Sequence, residues 1–337
     1  MATRKEHEQA IVRLFQPAEI EPKGPTPIQQ RLLEAAARQN DEERSFLYQH
    51  SVFCQTSLPF RDPGAGVRTW ERTNGNVSLL VEAGRAMAPD RRWIELQLPA
   101  GVKARLVLMY LNQRAMLTKS PVLEVGSLTD FTRRVLKLDP KGRNLTAVKE
   151  QLARLSAADF LFGAVRDGEA VTIKAAPVKG FNLWATKNDD EQRLLWPRIV
   201  ELDPVYFADL MEHAVPLDER HIAALTHSCM ALDIYSWLAQ RLHRLKGKQH
   251  VSWPALWSQF GQGYNPERMD KFRQVFRLAL KQVLAVYQAA RVEDVEAGKP
   301  RLVILGDEQR LWRSETATGL WLRPSPPPVK RKLLPGS

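Results

Sequence analysis

The sequence predicts an α+β protein, mainly α, built from tandem winged-helix units, in which a helix-turn-helix ends in a β-hairpin wing. Three observations predict it. An order of helix, short strand, helix, turn, helix and hairpin occurs twice along the chain. The last helix of the second copy, in "NPERMDKFRQVFRLALKQVLAVYQ" (265–288), has an apolar stripe and an opposite basic face. The 337 residues carry 49 Lys and Arg against 38 Asp and Glu, a net charge of +11. That sign favours an acidic partner, nucleic acid or an anionic membrane surface.

Residues 1–25 are polar, end in "PKGP" and read as a flexible arm. The segment 26–50 reads as a helix capped by Thr26, with Pro27 at its first position. "VRTWERTNGNVSLLVEAG" (67–84) reads as a hairpin turning at Asn74-Gly75. In the first copy, 101–117 is a helix and "PVLEV" (121–125) a short strand. Ser127 caps a helix to about Leu136, "LDPKGRN" (138–144) turns the chain, and 145–156 is the last helix. Two β-rich runs within 160–176 flank Arg166-Asp167-Gly168, a hairpin signal.

In the second copy, 218–245 reads as one long helix and 251–261 as a strand-like start followed by a helix. "GQGYN" turns the chain before the basic helix, and 291–306 supplies the wing, turning near Ala297-Gly298. Domain limits follow. An N-terminal winged-helix domain spans 26–190 with its preceding helix and hairpin, and a C-terminal one spans 195–320. The proline-rich, basic tail 323–337 is expected to be disordered.

The basic helix carries the sharpest functional signal. Asn265 caps it and Pro266 suits its first position. Phe272, Phe276, Val283 and Tyr287 line the core stripe. Arg273, Gln274, Arg277 and Lys281, with Lys271 beside them, make the outer face, and past Asp270 the helix has no acid. Arg and Gln are side chains that read guanine and adenine edges bidentately, so these residues are the candidate DNA-reading set. In the first copy the candidates are Lys141, Arg143, Asn144 and Lys149, too sparse to separate base reading, a phosphate grip and a dimer contact. Arg166, Lys299 and Arg301 on the wings suit phosphate contacts.

Other chemistries find little support. Cys54 and Cys229 are far apart, which suggests a reducing compartment and no disulfide framework. His213, His221, His227, His243 and His250 show no metal-ligand spacing, so no metal is expected. No phosphate-binding glycine loop is present, and Tyr235, Tyr264 and Tyr287 lack the paired histidines of a nickase. The expectation is a non-enzyme without catalytic residues or cofactor. With no signal peptide and no apolar run of about 18 residues, it is expected to be cytoplasmic and off the membrane.

Several stretches resemble the plasmid replication initiator family called RepA: "LPFRDPG" (58–64), "RTNGNVSLLVEAG" (72–84), "SPVLEVGSLTDFTRRVLKL" (120–138), "ALDIYSWLAQRL" (231–242), "WPALWSQFG" (253–261), and "FRQVF" with "VLAVY" in the basic helix. Together they span roughly residues 50–290. The resemblance implies an initiator that binds repeated double-stranded sites at a plasmid origin. It also implies recruitment of host replication proteins (sliding clamp, helicase or initiator ATPase) and repression of the protein's own gene, and leaves monomer and homodimer open. Separately, Gln55, Leu58 and Phe60 in "QTSLPF" fit a loose Gln-x-x-Leu-x-Phe pattern, similar to peptides that enter the sliding clamp. The same residues suit an extended core segment with Leu58 and Phe60 buried, which is the preferred reading.

Overall fold

The computed structural model describes residues 25–37, 45–88, 90–135, 139–166, 168–179, 184–186, 192–194, 196–261, 263–295, 301–305, 308–312 and 318–329. The arm 1–24 and the tail residues 330–337 lie outside this set.

Helix α1 (Pro27–Ala37) opens with a reciprocal capping box: Gln29 N donates to Thr26 Oγ1 and Thr26 N donates to Gln29 Oε1. The helix expected over 26–50 does not reach residue 50. Phe46–Gln49 is strand β1, with all four residues buried. His50 then caps the short helix α2 (Ser51–Gln55) by accepting from Val52 N. Strands β2 (Thr69–Asn74) and β3 (Val77–Glu82) form the expected hairpin. Asn74 faces Val77 across the turn, and Gly75 takes φ +57°, which glycine adopts without strain. A small hairpin, β4 (Arg85–Met87) with β5 (Trp93–Glu95), follows.

Helix α3 (Gly101–Thr118) is apolar on most of its surface and buried accordingly. After β6 (Val122–Glu124), Ser127 Oγ accepts from Asp130 N to cap α4 (Leu128–Asp130), which continues as a π-turn over Phe131–Val135. Helix α5 (Gly142–Ala157) leads to β7 (Asp159–Arg166) and β8 (Glu169–Lys174). The early hairpin and this one form a single antiparallel sheet ordered β2-β3-β7-β8. Strands β9 (Trp184–Thr186) and β10 (Gln192–Leu194) pair with each other, and β11 (Ile199–Glu201) pairs with β6.

Asp203 caps α6 (Pro204–His213), and β12 (Val215–Asp218) pairs antiparallel with β1. The helix expected over 218–245 is in two pieces, α7 (Glu219–Leu225) and α8 (Cys229–Arg241). The break has a local cause: Ser228 Oγ accepts from Ala231 N and starts a new helix. Strand β13 (Gln249–Ser252) precedes α9 (Trp253–Phe260) and α10 (Met269–Val286), the expected basic helix.

The wing differs from the expected hairpin over 291–306. Strand β14 (Val292–Val295) does not pair with 301–305. Strand β15 (Arg301–Leu305) pairs with β16 (Glu308–Trp312), and β14 pairs with β17 (Gly319–Leu322), giving the sheet β13-β17-β14. Leu320 and Leu322 fix this register because both are fully buried.

One hydrophobic core runs through both halves of the chain. Helix α1, read with the first domain, packs on α7 and α10 of the second. Of the tail expected to be disordered, residues 323–329 pack on the core. Tyr287 Oη donates to Pro326 O (2.6 Å), Ser325 N to Leu242 O (3.3 Å), and Val329 is buried with Phe46 and Tyr48. A proline-rich segment has few backbone donors to satisfy, so it can lie on a core at little polar cost.

Candidate nucleic-acid interface

The interface is built on α10. Asn265 Oδ1 accepts from Glu267 N (3.0 Å), and Pro266 opens a 3-10 turn that leads into the helix. The stripe lies inside as its period requires: Phe272, Phe276, Val283 and Val286 are fully buried. Trp253, at the start of α9, meets Phe272 and Phe276 edge-on with centroids 6.4 and 5.7 Å apart. Outside, Lys271, Gln274 and Lys281 are exposed, and Lys271 Nζ donates to Gln274 Oε1 (3.3 Å). Leu278, half-exposed, lies on the same helix surface.

Arg273 and Arg277 do not stand free on this face as the sequence suggested. Both are partly buried, with guanidiniums 5.5 and 5.0 Å from the ring of Trp253. Arg277 is also clasped by Asp294 of β14, its Nε donating to Oδ2 at 2.6 Å and its Nη2 to Oδ1 at 3.3 Å. The indole face attracts the guanidinium plane, and the strand supplies the acid that α10 lacks. The structure therefore divides the five candidates: three reach solvent, and two are braced against Trp253.

The first copy is arranged differently. Lys141 pairs with Asp139 (2.8 Å), and Asn144 Nδ2 donates to Asp139 O (2.9 Å), so both residues fix the turn before α5. Arg143 is exposed and Lys149 half-buried. Burial, with the nearby Arg143 charge, holds the Lys103 ammonium on α3 below the usual lysine range. Lys103 is a basic neighbour of Arg143 that the sequence reading missed. Lys299 lies outside the described residues, and only the backbone is described for Arg166 and Arg301.

The "QTSLPF" segment is a strap between the halves. Gln55 O accepts from Asn74 Nδ2 (3.0 Å) and Gln259 Nε2 (2.9 Å), and Ser57 O from Trp70 Nε1 (2.7 Å). Phe60 O accepts from the Cys229 thiol (3.4 Å). Arg105 of α3 holds the strap's centre with all five donors engaged. Nε and Nη2 each reach Asp233 of α8 at 2.7 Å, Nη2 also reaches Leu58 O, and Nη1 reaches Pro59 O and Gly101 O. Leu58 is 2% exposed. The clamp-peptide reading needs that side chain outside, and here it is core.

Beside the strap lies a cleft of about 640 Å³, lined by Phe60, Arg61, Trp70, His227, Cys229 and Tyr264 among others. Burial pushes the Cys229 thiol up, so it is a poor nucleophile. Tyr235 and Tyr287 are buried. His221 lies 3.0 Å from Tyr235 Oη, and His50 Nε2 lies 2.6 Å from Asp209. Among the described residues no group of three or more His, Cys, Asp or Glu could hold a metal, and no helix is long and apolar enough to cross a membrane.

Residues 98–255 match the family model described as plasmid encoded RepA protein. Over this stretch, a little under half of the chain, the sequence is that of a plasmid RepA protein. This supports a plasmid replication initiator. The RepA match runs from Leu98, just before α3, into α9; it takes in Arg105 and Asp233 and ends before α10. No protein of curated function matches the chain in sequence. Two crystal structures of domains 2 and 3 of RctB are similar to this chain. One, a selenomethionine derivative, has TM-score 0.47 and 9% identity over 81% of this chain and 95% of that one. The other has TM-score 0.43 and 12% identity over 68% and 83%.

Proposed function

We propose that this chain initiates plasmid replication by binding repeated double-stranded sites at the origin, with α10 as its reading helix. The observation that carries the reading is the division of α10. Its stripe residues Phe272, Phe276, Val283 and Tyr287 are buried, and Lys271, Gln274 and Lys281 remain exposed on a helix with no carboxylate after Asp270. The element order α8, β13, α9, α10, β14, β15, β16, β17 and the sheet order β13-β17-β14 support a winged-helix unit with the β15–β16 pair inserted in its wing. In such a unit the last helix enters the major groove and the wing follows the backbone. Gln274 then reaches a base edge and Lys271 and Lys281 reach phosphates. Arg273 and Arg277, braced on Trp253, flank the groove.

The first copy, α3 to β8, serves as a second winged-helix unit that grips phosphates through Arg143 and Lys149 or meets a second copy of the chain. The protein acts in the cytoplasm by assembly rather than chemistry, recruits host replication proteins and represses its own gene.

The test is fluorescence anisotropy on origin and scrambled duplexes at several salt concentrations. Gln274→Ala should lose about 1–3 kcal/mol on the origin only. Lys271→Ala or Lys281→Ala should weaken all duplexes alike and lower the salt slope by ~0.9 each. Unchanged origin affinity and salt slope in the triple variant would rule α10 out.

A further inference from the structure

The β4–β5 hairpin displays chemistry that the duplex-binding reading does not use. Its base is firmly held. Arg68 Nη1 donates to Leu96 O (2.8 Å), Arg68 Nη2 to Gly84 O (3.2 Å), and Leu96 N to Gly84 O (3.0 Å). Gly84 lies so close to the end of α5 that a Cβ would stand 1.6 Å from Ala157 O. Met87 faces Trp93 across the strand pair, so the two side chains share one face, and Ala86 and Ala88 turn inward and are buried. That outer face is open: Met87 is 58% exposed and Trp93 67%.

The charges are uneven. Asp90 pairs with Arg92 (2.6 Å) and Glu95 with Arg85 (2.8 Å), so both carboxylates of the hairpin are matched. Arg91 is the third arginine, exposed, and among the described residues no carboxylate pairs with it. It stands at φ +65°, a conformation suited to Gly or Asn, while its amide closes the turn on Ala88 O at 2.9 Å. The turn thus accepts backbone strain and keeps a cation at the tip.

We propose that this hairpin binds single-stranded DNA. The Trp93 indole stacks on an unpaired base, Met87 packs beside it, and Arg91 meets the neighbouring phosphate. A flat, exposed aromatic on a rigid convex element suits a base, because every base offers a π-face; the unmatched arginine suits the strand's charge. The duplex reading of α10 is not required for this.

The experiment measures anisotropy of labelled 15-mer oligothymidine, an abasic strand of equal length and an origin duplex on the full chain, with a melting curve for each variant. Wild type should prefer oligothymidine to the abasic strand. Trp93→Ala should weaken oligothymidine binding roughly 5- to 100-fold and leave duplex binding and melting unchanged. Trp93→Phe should restore most of the affinity. Arg91→Gly, which suits φ +65°, should fold at least as well as wild type and lower the single-strand salt slope by ~0.7. Equal wild-type affinity for thymidine and abasic strands, or unchanged oligothymidine binding by Trp93→Ala, overturns the proposal. Lost duplex binding in the α10 variants leaves these single-strand outcomes standing, so the two ideas fail separately.

Discussion

Replacing Arg105 with Met should nearly unfold the protein, and adding Asp233→Leu should rescue it. The guanidinium is 2% exposed and grips the Asp233 carboxylate through two 2.7 Å bonds, in a site that water does not reach. Removing one partner of a buried pair strands the other charge and costs about 3–5 kcal/mol. Arg105→Met also orphans Leu58 O, at roughly 1–3 kcal/mol; Pro59 O keeps the Gly101 amide at 3.0 Å. The single change therefore costs about 4–8 kcal/mol, against a total stability of about 5–15 kcal/mol for an ordinary domain. Asp233→Leu alone strands the arginine and should cost about 3–5 kcal/mol. With both changes neither partner strands the other, though the buried Arg72 also loses the attraction of Asp233, and the loss should shrink to about 1–3 kcal/mol. Urea unfolding followed by circular dichroism, on both single variants and the double, measures the coupling. Losses that simply add in the double variant would refute the view that this pair joins the halves.

The remaining predictions concern one core site and one titration. Phe276→Ala empties a fully buried position between Trp253, Phe260 and Phe272 and should cost about 3–5 kcal/mol in a thermal melt, unlike the surface changes on α10. The hydrogen bond from His50, with the His213 ring 3.5 Å away, holds the Asp209 carboxyl below the usual carboxylate range. That contribution is complete above the unfolded value of about 3.9 and is lost as pH falls through the lower folded value. Asp209→Asn should therefore melt slightly below wild type at pH 6, with the gap closing below about pH 4; a gap that persists there would contradict the assignment. The effect is small because Asp209 is half-exposed and screened.

Local signals in the sequence found the elements whose causes are local. The period of Phe272, Phe276 and Val283 placed the core face of α10, and Asn74-Gly75 placed the β2–β3 turn. What failed was long-range. Phe46–Gln49 continues a helical pattern in sequence, yet its partner Val215–Asp218 lies far along the chain and makes it a strand. Strand β14 has an apparent partner close by in 301–305, but the buried pair Leu320 and Leu322 claims it. Arg273 and Arg277 sit at basic-face positions, and only the fold brings Trp253 and Asp294 to them. One overlooked signal was readable: Arg105 stands alone within "ARLVLMYL" and Asp233 within "MALDIYSWLA". A lone charge within an apolar stretch of helix tends to be buried with it, and two of opposite sign suggest each other.

The strap changes how two DNA-binding units in one chain would have to act. If a loose linker joined them, each could find its own site and the spacing between sites would matter little. Here Arg105 ties α3 to α8, and the strap between them bonds to β2, α3, α8 and α9 through its carbonyls. The β1–β12 pair and the packing of α1 on α7 and α10 cross the same boundary. A joint with its charges matched and its backbone acceptors filled has few alternative arrangements of comparable energy. Units joined this way would engage duplex DNA at one fixed separation, so the distance between half-sites becomes part of what is recognised. Changing that relation requires the Arg105–Asp233 pair to open, which makes the buried pair, rather than either helix, the place where a remodelling partner would have to act.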